Sequence, residues 1–271
     1  MRSQFGEWAV VTGASSGIGR AIARRLAAEG IALVLVARGA EALDAVASEL
    51  RAAHGTDVVP LAIDLSRSGG AAELLAATST LDVGLLVAAA GFCTSGPFID
   101  SSLERELEML AVNCRAVLEL THAFARRFAE RKRGGIVLMS SIVAFQGTPW
   151  AAHYSATKAY NQALAEALHV ELGPRGVTVL ASAPGPTSSG FAVRAGMRMG
   201  RTVTSDDVAR GTLAALGRKA TVLPGVLSKV LTWSLAPLPR AARVRIMGAV
   251  MGGMTGQRPT SVSPPGVRGR G

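Results

Sequence analysis

Between the apolar run Trp8–Val11 and the amphipathic stretch Arg20–Glu29 stand Thr12-Gly13-Ala14-Ser15-Ser16-Gly17-Ile18-Gly19, a strand-to-helix turn paved with glycine. No other feature constrains the chain as much. Gly13 permits a tight turn, Gly17 lets backbone N–H groups approach an anion, and Gly19 lets the helix lie close on the strand, while the helix dipole favours negative charge at its start. The arrangement suits a pyrophosphate. Its G-x-x-x-G-x-G spacing differs from G-x-G-x-x-G, and glycine-rich turns of this kind also occur without a ligand, so the motif needs company.

Six further short apolar runs follow, at Ala32–Ala37, Val58–Ile63, Leu85–Ala89, Ile136–Ser140, Val177–Ser182 and Thr221–Leu223. Helical patterns at 18–29, 40–53, 70–78, 101–131, 154–172 and 206–216 alternate with them. Such alternation predicts an α/β fold, a doubly wound seven-stranded parallel sheet with every strand covered on both faces by helices. Ligands of such sheets bind beyond the carboxyl ends of the strands. Residues 1–225 are expected to form the main domain, 226–255 an amphipathic apolar and basic extension, and 256–271, rich in Pro, Gly, Ser and Arg, a disordered tail.

Bulk properties narrow the class. Half of the 271 residues are apolar, ample for a core, and the start of the chain shows no charged region followed by an apolar one, so a cytoplasmic location is expected. Cys93 and Cys114 show no C-x-x-C spacing and read as reduced, buried thiols. His54, His122, His153 and His169 lie far apart, so no metal site is expected. The net charge of +10 is uneven: residues 1–193 carry 16 basic against 17 acidic side chains, and residues 194–271 carry 13 against 2. An acidic partner, a membrane surface or solubility would each account for that basic end.

Tyr154 and Lys158 stand four apart at the start of a helical pattern, on one face. An ammonium beside a phenol stabilises the phenolate and brings the Tyr pKa down toward working pH, which suits a residue that gives or takes a proton. Alone, such a pair is usually a solvated helix face. Ser141 lies at the carboxyl end of the Ile136–Ser140 run, where its hydroxyl would sit over the sheet edge. Asn113, a poor helix former inside the 101–131 pattern, suits a local kink or a bound water.

Taken together with Asp64-Leu65, Tyr154-Ser155-Ala156-Thr157-Lys158 and Pro184-Gly185-Pro186-Thr187, these motifs make the chain resemble the short-chain dehydrogenases/reductases over about residues 5–225. The resemblance implies a Rossmann-type catalytic domain that binds a nicotinamide dinucleotide, with the hydride chemistry belonging to the cofactor. It also implies roles. Tyr154 would be the general acid for carbonyl reduction or base for alcohol oxidation, with Ser141 bonding the substrate oxygen. Lys158 would hold the nicotinamide ribose and depress the Tyr pKa, and Asn113 would anchor a proton-relay water. Gly13, Ser15, Ser16, Gly17, Ile18 and Gly19 would cradle the pyrophosphate, Asp64 and Leu65 would meet the adenine, and Ala90 and Gly91 would offer backbone. Pro184, Gly185 and Thr187 would fix the nicotinamide. One departure is Ala88-Ala89-Ala90-Gly91, where relatives commonly carry Asn before Ala-Gly; this affects local geometry more than catalysis. Relatives that prefer NAD(H) place an acid after the second strand. Here Arg38 stands there, with no competing carboxylate expected, so NADP(H) is expected to be preferred over NAD(H).

The substrate is expected to be a small, hydrophobic or lipid-like carbonyl or alcohol. Phe191, Val193, Met197 and Met199, among Arg194, Arg198 and Arg201, suit either an adaptable lid or an ordinary covering segment. Beyond residue 225, Leu227, Leu231, Leu235 and Leu238, then Val244, Met247, Met251 and Met254, recur at helical spacing among basic residues and prolines. Two amphipathic helices fit, packed on the protein itself, on a partner subunit or peripherally on the inner face of a membrane; Lys229, the prolines and the arginines exclude a spanning segment. Family precedent implies a homodimer or homotetramer through 101–131 and 154–172. Nucleic-acid binding is not expected, since no stacking or helix-turn-helix motif accompanies the basic residues. A nicotinamide-binding regulatory protein without turnover, or a membrane-surface scaffold, are the alternative readings.

Overall fold

Alternate residues of each apolar run face opposite sides of one sheet, and where both sides are apolar, as in the central runs, the strand is buried from above and below. A computed structural model describes residues 2–198, 200 and 202–257. It begins with α1 (Arg2–Phe5), β1 (Trp8–Thr12), α2 (Gly17–Ala28), β2 (Ala32–Ala37), α3 (Ala40–His54), β3 (Val58–Ala62), α4 (Gly70–Ala77) and β4 (Val83–Ala88). There follow α5 (Leu103–Leu110), α6 (Ala116–Glu130), β5 (Gly134–Met139), α7 (Ala152–Leu172) and β6 (Val177–Ser182). The chain continues through β7 (Thr187–Ser188), α8 (Phe191–Arg194), β8 (Val203–Thr204), α9 (Ser205–Ala215), β9 (Thr221–Val222), α10 (Val226–Leu235) and α11 (Arg240–Thr255).

The main sheet has the order β3-β2-β1-β4-β5-β6-β9, all parallel. Ala9, Val11, Leu33 and Leu35 pack on one side with Ile22, Leu26 and Leu43. Val10, Val34 and Val36 pack on the other with Leu120, Phe124 and Phe128. The strand order reverses between β1 and β4, which opens a crevice at their carboxyl ends.

Three features depart from the expected elements. The edge strand β3 is only partly covered, with Val59 exposed to solvent, and β9 at the other edge is two half-buried residues, because an edge has a neighbour on one side only. The 101–131 pattern is not one helix: a π turn at Ala111–Arg115, centred on Asn113, separates α5 from α6. The short strands β7 and β8 pair with each other apart from the main sheet, with α8 between them in the chain. Met199, Arg201 and most of the expected disordered tail, residues 258–271, lie outside the described residues.

The two expected C-terminal helices form, broken at Pro237–Pro239. Their inner faces pack on the protein itself. Met251 joins a cluster with Trp150, Tyr154, Phe191, Met197 and Met254, and Trp150 donates its ring N–H to Gly248 O at 3.2 Å. Among the described residues no helix is long and apolar enough to cross a membrane.

Candidate active site

A cavity of about 640 Å³ runs along the carboxyl ends of the strands, from the glycine turn at one end to α10 and α11 at the other. Its size lies within the range of small-molecule sites. The glycine turn has little room for any side chain: a Cβ on Gly19 would lie 2.4 Å from Gly13 O, and Gly17 has φ +56°. Ser16 precedes α2 in extended conformation without capping it through its side chain, so the first N–H groups of the helix have no side-chain acceptor there. Gly13, Ser15, Ser16, Gly17, Ile18 and Gly19 all line the cavity. That cradle fits a phosphate group.

The chemistry-bearing side chains converge on the opposite wall. Ser141 follows β5 and caps the short turn Ile142–Phe145, its Oγ accepting from Val143 N at 3.4 Å. Its Oγ also donates to Pro184 O at 3.4 Å, and the side chain lines the cavity together with Tyr154. One turn along α7, Lys158 is buried; its Nζ lies 5.7 Å from the centre of the Tyr154 ring and donates to Met139 O at 2.9 Å. Of the four residues read as catalytic from the sequence, Ser141, Tyr154 and Lys158 thus line one cavity, while Asn113 lies behind its wall.

Their electrostatics differ from the expectation in one respect. Burial pushes the Tyr154 phenol well above its ordinary range, and the nearby Ser141 hydroxyl only partly opposes this. Burial likewise lowers the Lys158 ammonium to about 8. Desolvation is the largest cause for both groups, so in the protein alone burial sets the state of the phenol and Lys158 does not make it acidic. Burial also raises the Cys93 thiol to about 12 and the Cys114 thiol to about 11, and both cysteines are free.

Asn113 is fully buried at the π turn, and its amide is occupied. Oδ1 accepts from Phe92 N at 3.1 Å, while Nδ2 donates to Phe92 O and to Thr157 Oγ1, each at 3.0 Å. This braces the segment after β4 against α7. A second brace is Thr12, whose Oγ1 accepts from Ala90 N at 3.0 Å and ties the end of β1 to that of β4, beside Ala88. Ala90 and Gly91 line the cavity there.

Toward the glycine turn, Asp64 Oδ1 accepts from Ser66 N and Oγ at 2.9 and 2.7 Å. Burial alone would raise the Asp64 carboxyl, but the Ser66 bonds and the nearby Arg38 and Arg67 cations outweigh it and hold the group low. Leu65 and Arg38 line the same end. Arg38 is not without a carboxylate partner, contrary to expectation: its Nη1 donates to Glu108 Oε1 at 2.9 Å, across from α5. Seventy positions separate the two in sequence, so only the fold reveals the pair.

At the far end, Pro184 O accepts from Ile142 N, and Thr187 Oγ1 donates to Gly185 O at 3.0 Å. Gly185 N donates to the buried Ser228 Oγ of α10 at 2.8 Å. Ser228 went unnoticed in the sequence, where it is one serine in an amphipathic helix. Beyond it the wall is apolar, built by Phe191, Met197, Leu231, Leu235, Met247 and Met251. The Phe191 ring lies 5.7 Å from that of Tyr154.

Comparison with known proteins places the chain in a family. The family model for short chain dehydrogenase matches residues 7–198. A 7beta-hydroxysteroid dehydrogenase of Clostridium sardiniense is 30% identical over 232 residues, which cover 84% of this chain and 89% of that protein. Among solved structures, a short-chain dehydrogenase from Sphingobium yanoikuyae in complex with NADPH superposes with a TM-score of 0.79 at 32% identity, covering 89% of this chain and 94% of the other. The bulky-bulky ketone specific alcohol dehydrogenase from Comamonas testosteroni superposes with a TM-score of 0.74 at 29% identity, covering 87% and 96%.

Proposed function

The chain belongs to the short chain dehydrogenase family and is an oxidoreductase, and from that premise we propose that it interconverts a bulky hydrophobic ketone and its secondary alcohol with NADP(H). One observation carries the reading: the Ser141, Tyr154 and Lys158 group shares a cavity with an anion cradle and a largely apolar wall. When bound, the dinucleotide supplies or accepts the hydride. Gly13 to Gly19 would hold its pyrophosphate, Asp64 and Leu65 would face its adenine, and Arg38 its 2′-phosphate. Ala90, Gly91, Pro184, Gly185 and Thr187 would flank the nicotinamide half.

Tyr154 acts as the acid of reduction. A phenol kept neutral by burial holds its proton until a carbonyl oxygen gains negative charge beside it, and the same atom receives the proton in oxidation. Ser141 Oγ, which lines the same cavity as that phenol, directs the oxygen to it. Lys158, cationic below about pH 8, favours the phenolate left after transfer and binds the ribose. Asn113 braces the floor; with both amide N–H groups taken, a relay water would donate to its oxygen atoms.

In this reading residues 1–225 are the catalytic unit and 226–255 complete the substrate wall. The outer faces of α10 and α11 expose Val226, Val230, Trp233, Ile246 and Val250. No acidic residue follows Asp207, which favours contact of these faces with an anionic membrane surface. Leu103, Leu107, Leu110, Leu118 and Val170, exposed on α5, α6 and α7, favour a homodimer or homotetramer.

The test is a panel of aliphatic, steroid-like and acyl ketones with NADPH, followed by nicotinamide absorbance. Turnover of the bulkier ketones is the expected result. No turnover of any carbonyl, nor of any alcohol with NADP⁺, would favour a regulatory nicotinamide-binding protein instead.

A further inference from the structure

The carboxylate found on Arg38 belongs to a three-residue arrangement. Glu108 Oε1 accepts from Arg38 at 2.9 Å, and Glu108 Oε2 accepts from Arg105 Nη1, so one carboxylate bridges two guanidinium groups. Both arginines line the cavity, and the Arg105 guanidinium lies 4.9 Å from the centre of the Phe92 ring. The Glu108 side chain is 21% exposed and that of Arg38 is 62% exposed, so the carboxylate is the enclosed partner and Arg38 the one with room to move. The other charges facing Arg38 and its surroundings are Asp64 and Arg67.

We propose that Glu108 limits the selectivity of Arg38 for a 2′-phosphorylated cofactor, by competing with the phosphate for the same guanidinium. The inference rests on the NADP(H) reading above. A 2′-phosphate brought to Arg38 must displace the carboxylate or lie beside it, and either way two anions share one cation. A 2′-hydroxyl carries no charge and meets no such opposition. Arg105 retains Glu108 through its other oxygen, so the carboxylate stays near after Arg38 turns away. Discrimination between the two cofactors is therefore set by the pair Arg38 and Glu108 rather than by Arg38 alone.

Nicotinamide fluorescence on binding, without turnover, gives the affinities for NADPH and NADH in the unmutated protein, Glu108→Gln, Arg38→Ala and the double variant. Removing one charge several ångströms from a phosphate in partly screened surroundings is expected to tighten NADPH about tenfold in Glu108→Gln and to leave NADH within about twofold. That gain is expected to shrink at high salt and to vanish in the Arg38→Ala background. Equal melting temperatures of Glu108→Gln and the unmutated protein exclude a folding effect. A Glu108→Gln protein that binds NADPH no more tightly, or gains equally for both cofactors, overturns the proposal. If Arg38→Ala erases a preference that Glu108→Gln does not raise, this inference alone fails; if neither the unmutated protein nor Arg38→Ala discriminates, the NADP(H) reading fails with it.

Discussion

Lys158 and Tyr154 are each pulled by burial toward the neutral form, and this sets the pH behaviour of the site. The ammonium, lowered from 10.5 to about 8, is present below that pH and lost above it. For carbonyl reduction, kcat/KM is expected to fall above about pH 8, approaching tenfold per unit, because this ratio reports groups of the free protein. A profile flat to pH 10 would show that the Lys158 charge is not used. Stability moves the opposite way. A lysine whose pKa is depressed on folding destabilises the protein fully below about pH 8, and that cost is relieved as pH rises toward 10.5. The spacing of Tyr154 and Lys158 was legible in the sequence; the sign of the phenol's shift was not, because desolvation depends on what the rest of the chain packs around a residue.

At the scale of elements, the π turn at Ala111–Arg115 is the feature with most consequence. It inserts Asn113 between the segment after β4 and α7, where the side chain makes three hydrogen bonds. Asn113→Ala leaves Phe92 N and O without these partners in a partly buried setting and is expected to cost about 1–3 kcal/mol. Differential scanning calorimetry should show a melting point lower by several degrees, and an unchanged one would mean that water replaces the amide without loss. A kink could be expected from an asparagine amid apolar helix, and the seven strands followed from their apolar runs. The β7–α8–β8 structure had no such signal: its strands are two residues each, too short for any periodicity. The coverage of β3 and β9 was misjudged for a related reason, since a run's composition does not say whether it ends at an edge.

Over the whole molecule, charge and apolar surface are distributed together. The basic residues concentrate after residue 193, and α10 and α11 turn Leu231, Met247 and Met251 to the cavity while Val230 and Trp233 face outward. A roof with two apolar faces joins a hydrophobic pocket to whatever the outer face meets. The full chain is expected to pellet with vesicles containing anionic lipid at low ionic strength and to be released as salt screens the attraction. Recovery in the supernatant at low salt would assign the outer face to another subunit or to solvent. Sequence periodicity indicated both helices; which face turned inward depended on the packing of Trp150, Phe191 and Met197, distant in the chain.

The central claim is that the Tyr154 phenol moves the proton of a carbonyl–alcohol interconversion. Its most direct test is Tyr154→Phe, which removes one hydroxyl and keeps the ring against Phe191, assayed for both NADPH binding and turnover of an accepted ketone. The account predicts kcat lower by about 10²–10⁴-fold with the affinity for NADPH little changed. Turnover equal to that of the unmutated protein would contradict it.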